Sequence, residues 1–205
     1  METNIRELPL QKRSRQRVEL VVEATKIVLV EKGYSDLTLA AVCDQADIKQ
    51  TSIYRYWPNK QALLATMAQQ FEEDYAVLSA ALTEKATEGH WHDLFKDNID
   101  MLETYLDENP WFTEAQNAIK TEKALMSRYR NMLSYFTVQY NHILRRAGLN
   151  APAEHEAAIA RMVVSVLDMF LMELGRNNDN KLQIAEMKRE TLNIIIRYLE
   201  PFMAS

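Results

Sequence analysis

The chain has 205 residues, 47% hydrophobic and 26% charged, with only four glycines and five prolines. That composition excludes a disordered chain and suits one large domain or a small one joined to a larger one. The lone cysteine, Cys43, excludes an internal disulfide and a multi-cysteine zinc site, and a net charge of -5 excludes wholesale electrostatic binding to nucleic acid.

The first helix is expected from a cap at Ser14 to about Lys32. Val18, Val21, Val22, Thr25, Val28 and Leu29 recur at helical spacing, and Gly33 stops the helix as a C′ residue. A short helix near 39–45 follows, with Thr38 as its N-cap. A second short one is expected at 49–56, and Pro58 ends it by pushing the preceding residue out of the helical region. Two short helices joined by a turn of this length make a helix-turn-helix. A long helix then runs from Pro58-Asn59 to about 82.

Further helices are expected at 92–108, from Asn109-Pro110 as N-cap and N1, at 122–147 ending at Gly148, from Pro152 to about Leu174, and at 181–202. Breaks fall at TEGHW with Gly89 and at the polar loop GRNNDN. No strand alternation, repeat or low-complexity tract interrupts the series. The fold expected is all-α: an N-terminal three-helix helix-turn-helix unit over 1–57, joined by the long helix to a helical domain over 58–205. No segment reaches the roughly 18 apolar residues of a membrane span, and METNIRELPLQKRSRQR has no apolar signal core, so a cytoplasmic location and no membrane partner are expected.

Charge is distributed unevenly. Residues 1–60 hold ten Lys/Arg against eight Asp/Glu, a balance of +2, and the remainder hold fourteen against twenty-one, a balance of -7. A basic head on an acidic body fits a protein with one phosphate-facing end. In the stretch IKQTSIYRYWPNK, helical spacing puts Ile53, Tyr56 and Trp57 on one face. Gln50, Thr51, Tyr54 and Arg55 fall on the other, with Ser52 at its edge. Gln pairs bidentately with adenine and Arg with guanine, and the start of a second helix is where such a motif meets base edges.

At this point the segment TLAAVCDQADIKQTSIYRYWPNKQALL resembles the DNA-binding segment of the TetR family of bacterial transcriptional regulators (TetR/AcrR). It shares the Thr that opens the second helix, the Ala-rich start, a recognition helix with paired aromatics at its end, and the following Lys and Leu-Leu. The upstream EKGY and a length near 200 residues fit as well, and the motif covers about 14–65. The resemblance implies base contacts from Gln50, Thr51 and Arg55. It implies phosphate contacts from Thr38, Lys49, Ser52, Tyr54, Tyr56 and Lys60, with Arg13 and Arg15 added from the basic N-terminal arm. Asp47 stands where the family usually has a turn glycine, Lys49 where a Ser-type cap is common, and Trp57 in place of Phe. Lys49 puts a cation at a positive helix end, which is unfavourable alone and favourable beside a phosphate.

In the larger part, the resemblance implies a homodimer through the last two helices, with Ile159, Met162, Val163, Val166, Phe170, Ile195, Leu199 and Phe202 at the partner surface. It also implies a pocket for a small, largely apolar or aromatic effector. Met101, Tyr105, Trp111, Phe112, Phe136, Tyr140 and Met172 are candidates for its wall, because aromatics and flexible methionines suit an adaptable cavity. Asp168 joins them, since an acid inside VVSVLDMFLM costs energy to bury unless paired. The same residue types at the same spacing also make ordinary core. His90, His92, His142 and His155 form no metal-binding or catalytic pattern, and no Gly-rich phosphate loop or nucleophile elbow is present, so no metal, cofactor or enzymatic activity is expected. The function expected is that of a sequence-specific DNA-binding regulator whose partners are operator DNA, the effector and a second copy. The alternatives are a DNA-organising or protein-partner-binding member without an inducer and, last, an all-α enzyme. The mode expected is that of a homodimeric repressor that the effector releases from its operator, with an activator as the other possibility.

Overall fold

The structure is a computed structural model that describes residues 12–87, 90–176 and 180–204; for 12–15, 175 and 176 it describes the backbone only. Arg13 and Arg15 lie in the first helix with side chains outside the described set, and Gly89 and residues 177–179 of GRNNDN lie outside it altogether. The helices are α1 (Lys12–Lys32), α2 (Leu39–Gln45), α3 (Gln50–Ile53), α4 (Lys60–Lys85), α5 (Trp91–Glu108), α6 (Trp111–Thr121), α7 (Met126–Arg146), α8 (Ala153–Arg176) and α9 (Lys181–Leu199). Short 3₁₀ turns sit at Lys123–Leu125 and Glu200–Phe202. Among the described residues no strand forms, only one isolated bridge between Leu149 and Met203. The chain is all-α, as its composition implies.

Several boundaries differ from expectation for local reasons. Ser14 lies inside the first turn of α1, because the helix already begins at Lys12. Pro110 occupies the cap position of α6, while the Asn109 side chain donates back to the Tyr105 carbonyl at 2.9 Å and so belongs to the end of α5. α3 is a single turn instead of a helix over 49–56. Lys49 precedes it with no side-chain cap bond, since an ammonium cannot accept from a backbone N–H. At its other end Tyr56 N and Trp57 N both donate to the Ile53 carbonyl, tightening the chain ahead of Pro58. α8 continues through Gly175 to Arg176, at the modest cost of a helical glycine.

The chain clusters into two compact units. One holds the residues up to Glu73 together with Pro110–Tyr129, the other Asp74–Asn109 and the residues from Arg130 onward. In the first unit, α1 presents Val21, Val22, Ala24, Thr25, Val28 and Leu29 inward, and it packs against both α2 and α6. Gly33, at φ 71°, donates to the Leu29 carbonyl at 3.0 Å and closes α1 as a C′ glycine should. Leu39, Val42 and Cys43 of α2 are buried, and burial pushes the Cys43 thiol up, which keeps it an inert core group. Ala62–Ala68 of α4 are buried without interruption, so that helix has core on all sides there.

In the second unit, α5 buries Trp91, Leu94, Phe95, Asn98, Ile99, Leu102 and Tyr105, a stripe at i, i+3, i+4, i+7 spacing. It packs on α8 and α9, which also pack on each other. Lys188 of α9 pairs with Asp100 and, at 2.6 Å, with Glu103 of α5. The end of the chain folds back on the α7–α8 connection: Asn150 N donates to Phe202 O at 2.7 Å and Ala204 N to Gly148 O at 2.9 Å.

Candidate functional site

The second and third helices form a helix-turn-helix on which Thr38 and Asp47 set the geometry. Thr38 is extended (φ −132°, ψ 156°), and its Oγ1 accepts from Ala41 N at 3.0 Å, capping α2 and leaving its hydroxyl proton for another acceptor. Asp47, at φ 51°, takes the left-handed turn conformation that a glycine would normally supply. Aspartate is among the few side chains that tolerate it. Ile48 N then donates to Cys43 O at 3.0 Å, which ties the turn back onto α2.

On α3 and the turn after it, the two faces separate as the spacing requires. Ile53 and Trp57 are fully buried and Tyr56 nearly so, while Gln50, Thr51 and Arg55 are exposed and Tyr54 is 52% exposed. Trp57 Nε1 donates to Thr66 Oγ1 at 2.9 Å, and Thr66 in turn donates to Ala62 O, so the indole is bolted to the start of α4. Tyr56 meets Trp57 edge-on at 5.7 Å, and the Arg55 guanidinium lies 5.7 Å from the Tyr56 ring. That contact orients the arginine without occupying its donors. Lys49 is exposed and Ser52 half-buried. Asn59 Oδ1 accepts from Ala62 N at 2.9 Å, and Lys60, the first residue of α4, sits beside Tyr34. The result is one outward surface carrying a glutamine, a threonine, an arginine, a tyrosine and two lysines, backed by a rigid aromatic core. Such a surface offers hydrogen bonds to base edges and cations to phosphates.

The residues expected to line an effector pocket do not form one group. Trp111 and Phe112 belong to α6 in the first unit, where Phe112 packs on Phe71 at 4.2 Å and Lys26 lies 5.4 Å from the Trp111 ring. They act there as core, because α6 packs against α1. In the second unit, Met101 and Tyr105 line an open groove of about 360 Å³, with Leu78, Lys85, Asp97, Asp100, Thr104 and Glu108. Tyr105 donates to Asp74 at 2.9 Å, and burial together with that carboxylate keeps its hydroxyl protonated. Phe136 and Tyr140 pack around Tyr75 instead, the Phe136 ring at 4.6 Å. Asp168 and Met172 are half-buried on α8.

Sequence reasoning missed the polar chain inside this unit. Tyr75 donates to the Tyr140 hydroxyl at 2.6 Å, and Tyr140 donates to Asn98 Oδ1 at 2.6 Å. Asn98 is 1% exposed, and its Nδ2 has no hydrogen-bond partner. The available signal was an asparagine at an apolar stripe position, four residues from both Leu94 and Leu102.

The residues expected at a partner surface differ in their burial within the single chain. Ile159, Val163, Phe170, Ile195 and Leu199 are each at most 3% exposed within the single chain, because packing among α5, α8 and α9 consumes them. Val166 and Phe202 are half-buried, and Met162 is 49% exposed. Met169 and Ile194, each 47% exposed, extend the apolar surface that the same two helices turn outward.

Among the described residues no group of His, Cys, Asp and Glu could hold a metal ion, and no helix is long and apolar enough to cross a membrane. Residues 21–67 match the profile of the bacterial regulatory proteins of the tetR family. Over 180 residues the chain is 24% identical to the nucleoid occlusion factor SlmA of Mannheimia succiniciproducens, covering 82% of this chain and 81% of that protein. Among solved structures, a TetR transcription regulator from Haloarcula marismortui superposes with a TM-score of 0.71 at 16% identity, over 93% of this chain and all of that one. The SmeT–triclosan complex superposes with a TM-score of 0.68 at 16% identity, over 91% of each.

Proposed function

Since the chain belongs to the TetR family of bacterial regulatory proteins and carries that family's DNA-binding helix-turn-helix, we propose that it is a homodimeric repressor released from its operator by a small-molecule effector. It acts in the cytoplasm by binding, not by catalysis. Residues 1–57 read DNA and residues 58–205 serve the effector and the second copy. The observation that carries this reading is the division of α3 and the turn after it: Gln50, Thr51 and Arg55 outward, Ile53 and Trp57 fully buried. In it Gln50, Thr51 and Arg55 meet base edges. Thr38, Lys49, Ser52, Tyr54 and Lys60 meet phosphates, joined by the hydroxyl tip of Tyr56 and by Arg13 and Arg15. One recognition helix spans too few base pairs for useful specificity, so a second head about 34–36 Å away is required. Met162, Val166, Met169 and Ile194 are among the apolar residues that α8 and α9 leave wholly or partly exposed, and on them a two-fold pair would form.

For the effector, the groove beside Met101 and Tyr105 has the volume of a small-molecule site, about 360 Å³. Leu78 and Met101 line it, and Asp97 and Asp100 there already pair with Lys85 and Lys188, which favours an apolar or aromatic molecule. That the superposed SmeT structure is a complex with triclosan supports a small, aromatic class of ligand for this fold. An effector releases DNA only through a difference in affinity between the two head arrangements, and two to three kcal/mol of coupling gives roughly a 30- to 150-fold release.

A second reading has its own support. The likeness to the nucleoid occlusion factor covers 82% of this chain, well beyond the DNA-binding segment. It favours a DNA-organising protein without an inducer. Selection of duplexes from a random pool by the purified protein, followed by genomic footprinting, separates the two. The repressor reading expects an enriched inverted repeat with half-sites one helical turn or a multiple apart, occupied at few loci. Enrichment without sequence preference contradicts the repressor reading, and dense occupancy across the chromosome favours the second.

A further inference from the structure

We propose that Tyr34 is a positioning residue for Lys60, braced by the carboxylates of α6, and that it holds the lysine ready for the DNA backbone. The inference rests on the reading of Lys60 as a phosphate contact. Lys60 opens α4, and the first turn of a helix is the positive end of its dipole, where a carboxylate is favoured and an ammonium is not. A lysine placed there needs something to offset the repulsion and to limit its four-carbon freedom. Tyr34 supplies both. Its ring centroid lies 4.1 Å from Lys60 Nζ, inside the range of a cation–π contact, and its carbonyl oxygen lies 3.5 Å from the same atom.

Tyr34 is itself fixed at two points. Its backbone N–H donates to Glu114 Oε2 at 3.3 Å, and its hydroxyl donates to the Glu122 carboxylate in a short hydrogen bond. Glu114 lies in the first turn of α6 and Glu122 caps its end, so one helix grips the tyrosine by its backbone and by its tip. The left-handed Gly33 just before it turns the chain so that the ring reaches that helix. A ring anchored at its hydroxyl presents its face in one orientation, and the ammonium above it is confined before DNA arrives. Confinement in advance lowers the ordering cost that a lysine otherwise pays on binding a phosphate.

The test is a double-mutant cycle between Tyr34→Leu and Lys60→Ala, using a duplex selected from a random pool by the wild-type protein and titrated over a range of salt. Lys60→Ala alone should weaken binding and reduce the salt slope by about one. Tyr34→Leu alone should weaken binding about two- to fivefold, and it should cost nothing further in the Lys60→Ala background. Thermal melts accompany each variant. If Tyr34→Leu loses its fold, Tyr34→Phe keeps ring and charge while cutting the Glu122 anchor, and the same pattern is expected at smaller size. Equal losses in both backgrounds, or no loss when Tyr34→Leu is made in the wild-type protein, overturn the inference. If Lys60→Ala leaves affinity and salt slope unchanged, the phosphate role of Lys60 falls and the inference falls with it, a result distinct from additive losses.

Discussion

Trp57→Ala should unfold the DNA-reading head under conditions where the wild type is fully folded. The indole is fully buried, and it donates a 2.9 Å hydrogen bond to Thr66 on α4. Truncating a buried tryptophan to alanine costs about 3–5 kcal/mol, which rivals the whole stability of a small unit. Trp57 also backs Tyr56, whose ring lies near Arg55, so the loss reaches the reading face directly. Trp57→Phe fills most of the volume and gives up only the hydrogen bond, at about 1 kcal/mol, and should still bind DNA. Denaturant unfolding followed by circular dichroism, with duplex binding measured on the same samples, checks both. An alanine variant as stable as the wild type would mean that the tryptophan is not the keystone of this core.

The second large effect is expected at the partner surface. Met162→Asp combined with Ile194→Asp places carboxylates on the outward side of α8 and α9, where both residues are about half exposed in the single chain. The subunit tolerates them, but burying them against their symmetry mates would be costly without partners. The variant should sediment as a monomer. Two linked heads gain roughly a hundredfold or more over one, so affinity for the full inverted repeat should fall by about that factor, while affinity for an isolated half-site stays the same. Charges at Ile195 or Leu199 would not serve, because those side chains belong to the chain's own core. A double variant that remains dimeric would move the interface elsewhere on the molecule.

Much of this organisation was legible from periodicity and caps. The stripe Leu94, Asn98, Leu102 and Tyr105 is one face of a helix whether or not its partners are known. Gly33 and Thr38 announced a helix stop and a cap through their own chemistry, and each takes that role, while Asp47, standing where the resembled family has a turn glycine, takes the left-handed conformation. The split of Ile53 and Trp57 from Gln50, Thr51 and Arg55 follows from spacing alone. Tertiary choice was not legible. Trp111 and Phe112 have the same spacing as residues of a pocket wall, yet α6 packs on α1, a neighbour about ninety residues earlier in the chain. Ile159 and Phe170 read equally well as subunit core or dimer surface, because an apolar stripe does not say whose helix covers it. The pairing of Tyr34 with Glu122 spans 88 residues and follows no local pattern.

If the exposed face of α3 and the turn after it reads bases, Arg55 shows it most directly. Affinities of the wild type and of Arg55→Ala should be measured against every single-base variant of a selected duplex at one fixed salt concentration. The account predicts that Arg55→Ala loses about 1–3 kcal/mol on the selected sequence and becomes indifferent to the base at one position in each half-site, keeping its preferences elsewhere. A uniform loss across all variants, with every preference intact, would place Arg55 on the phosphates and contradict the reading.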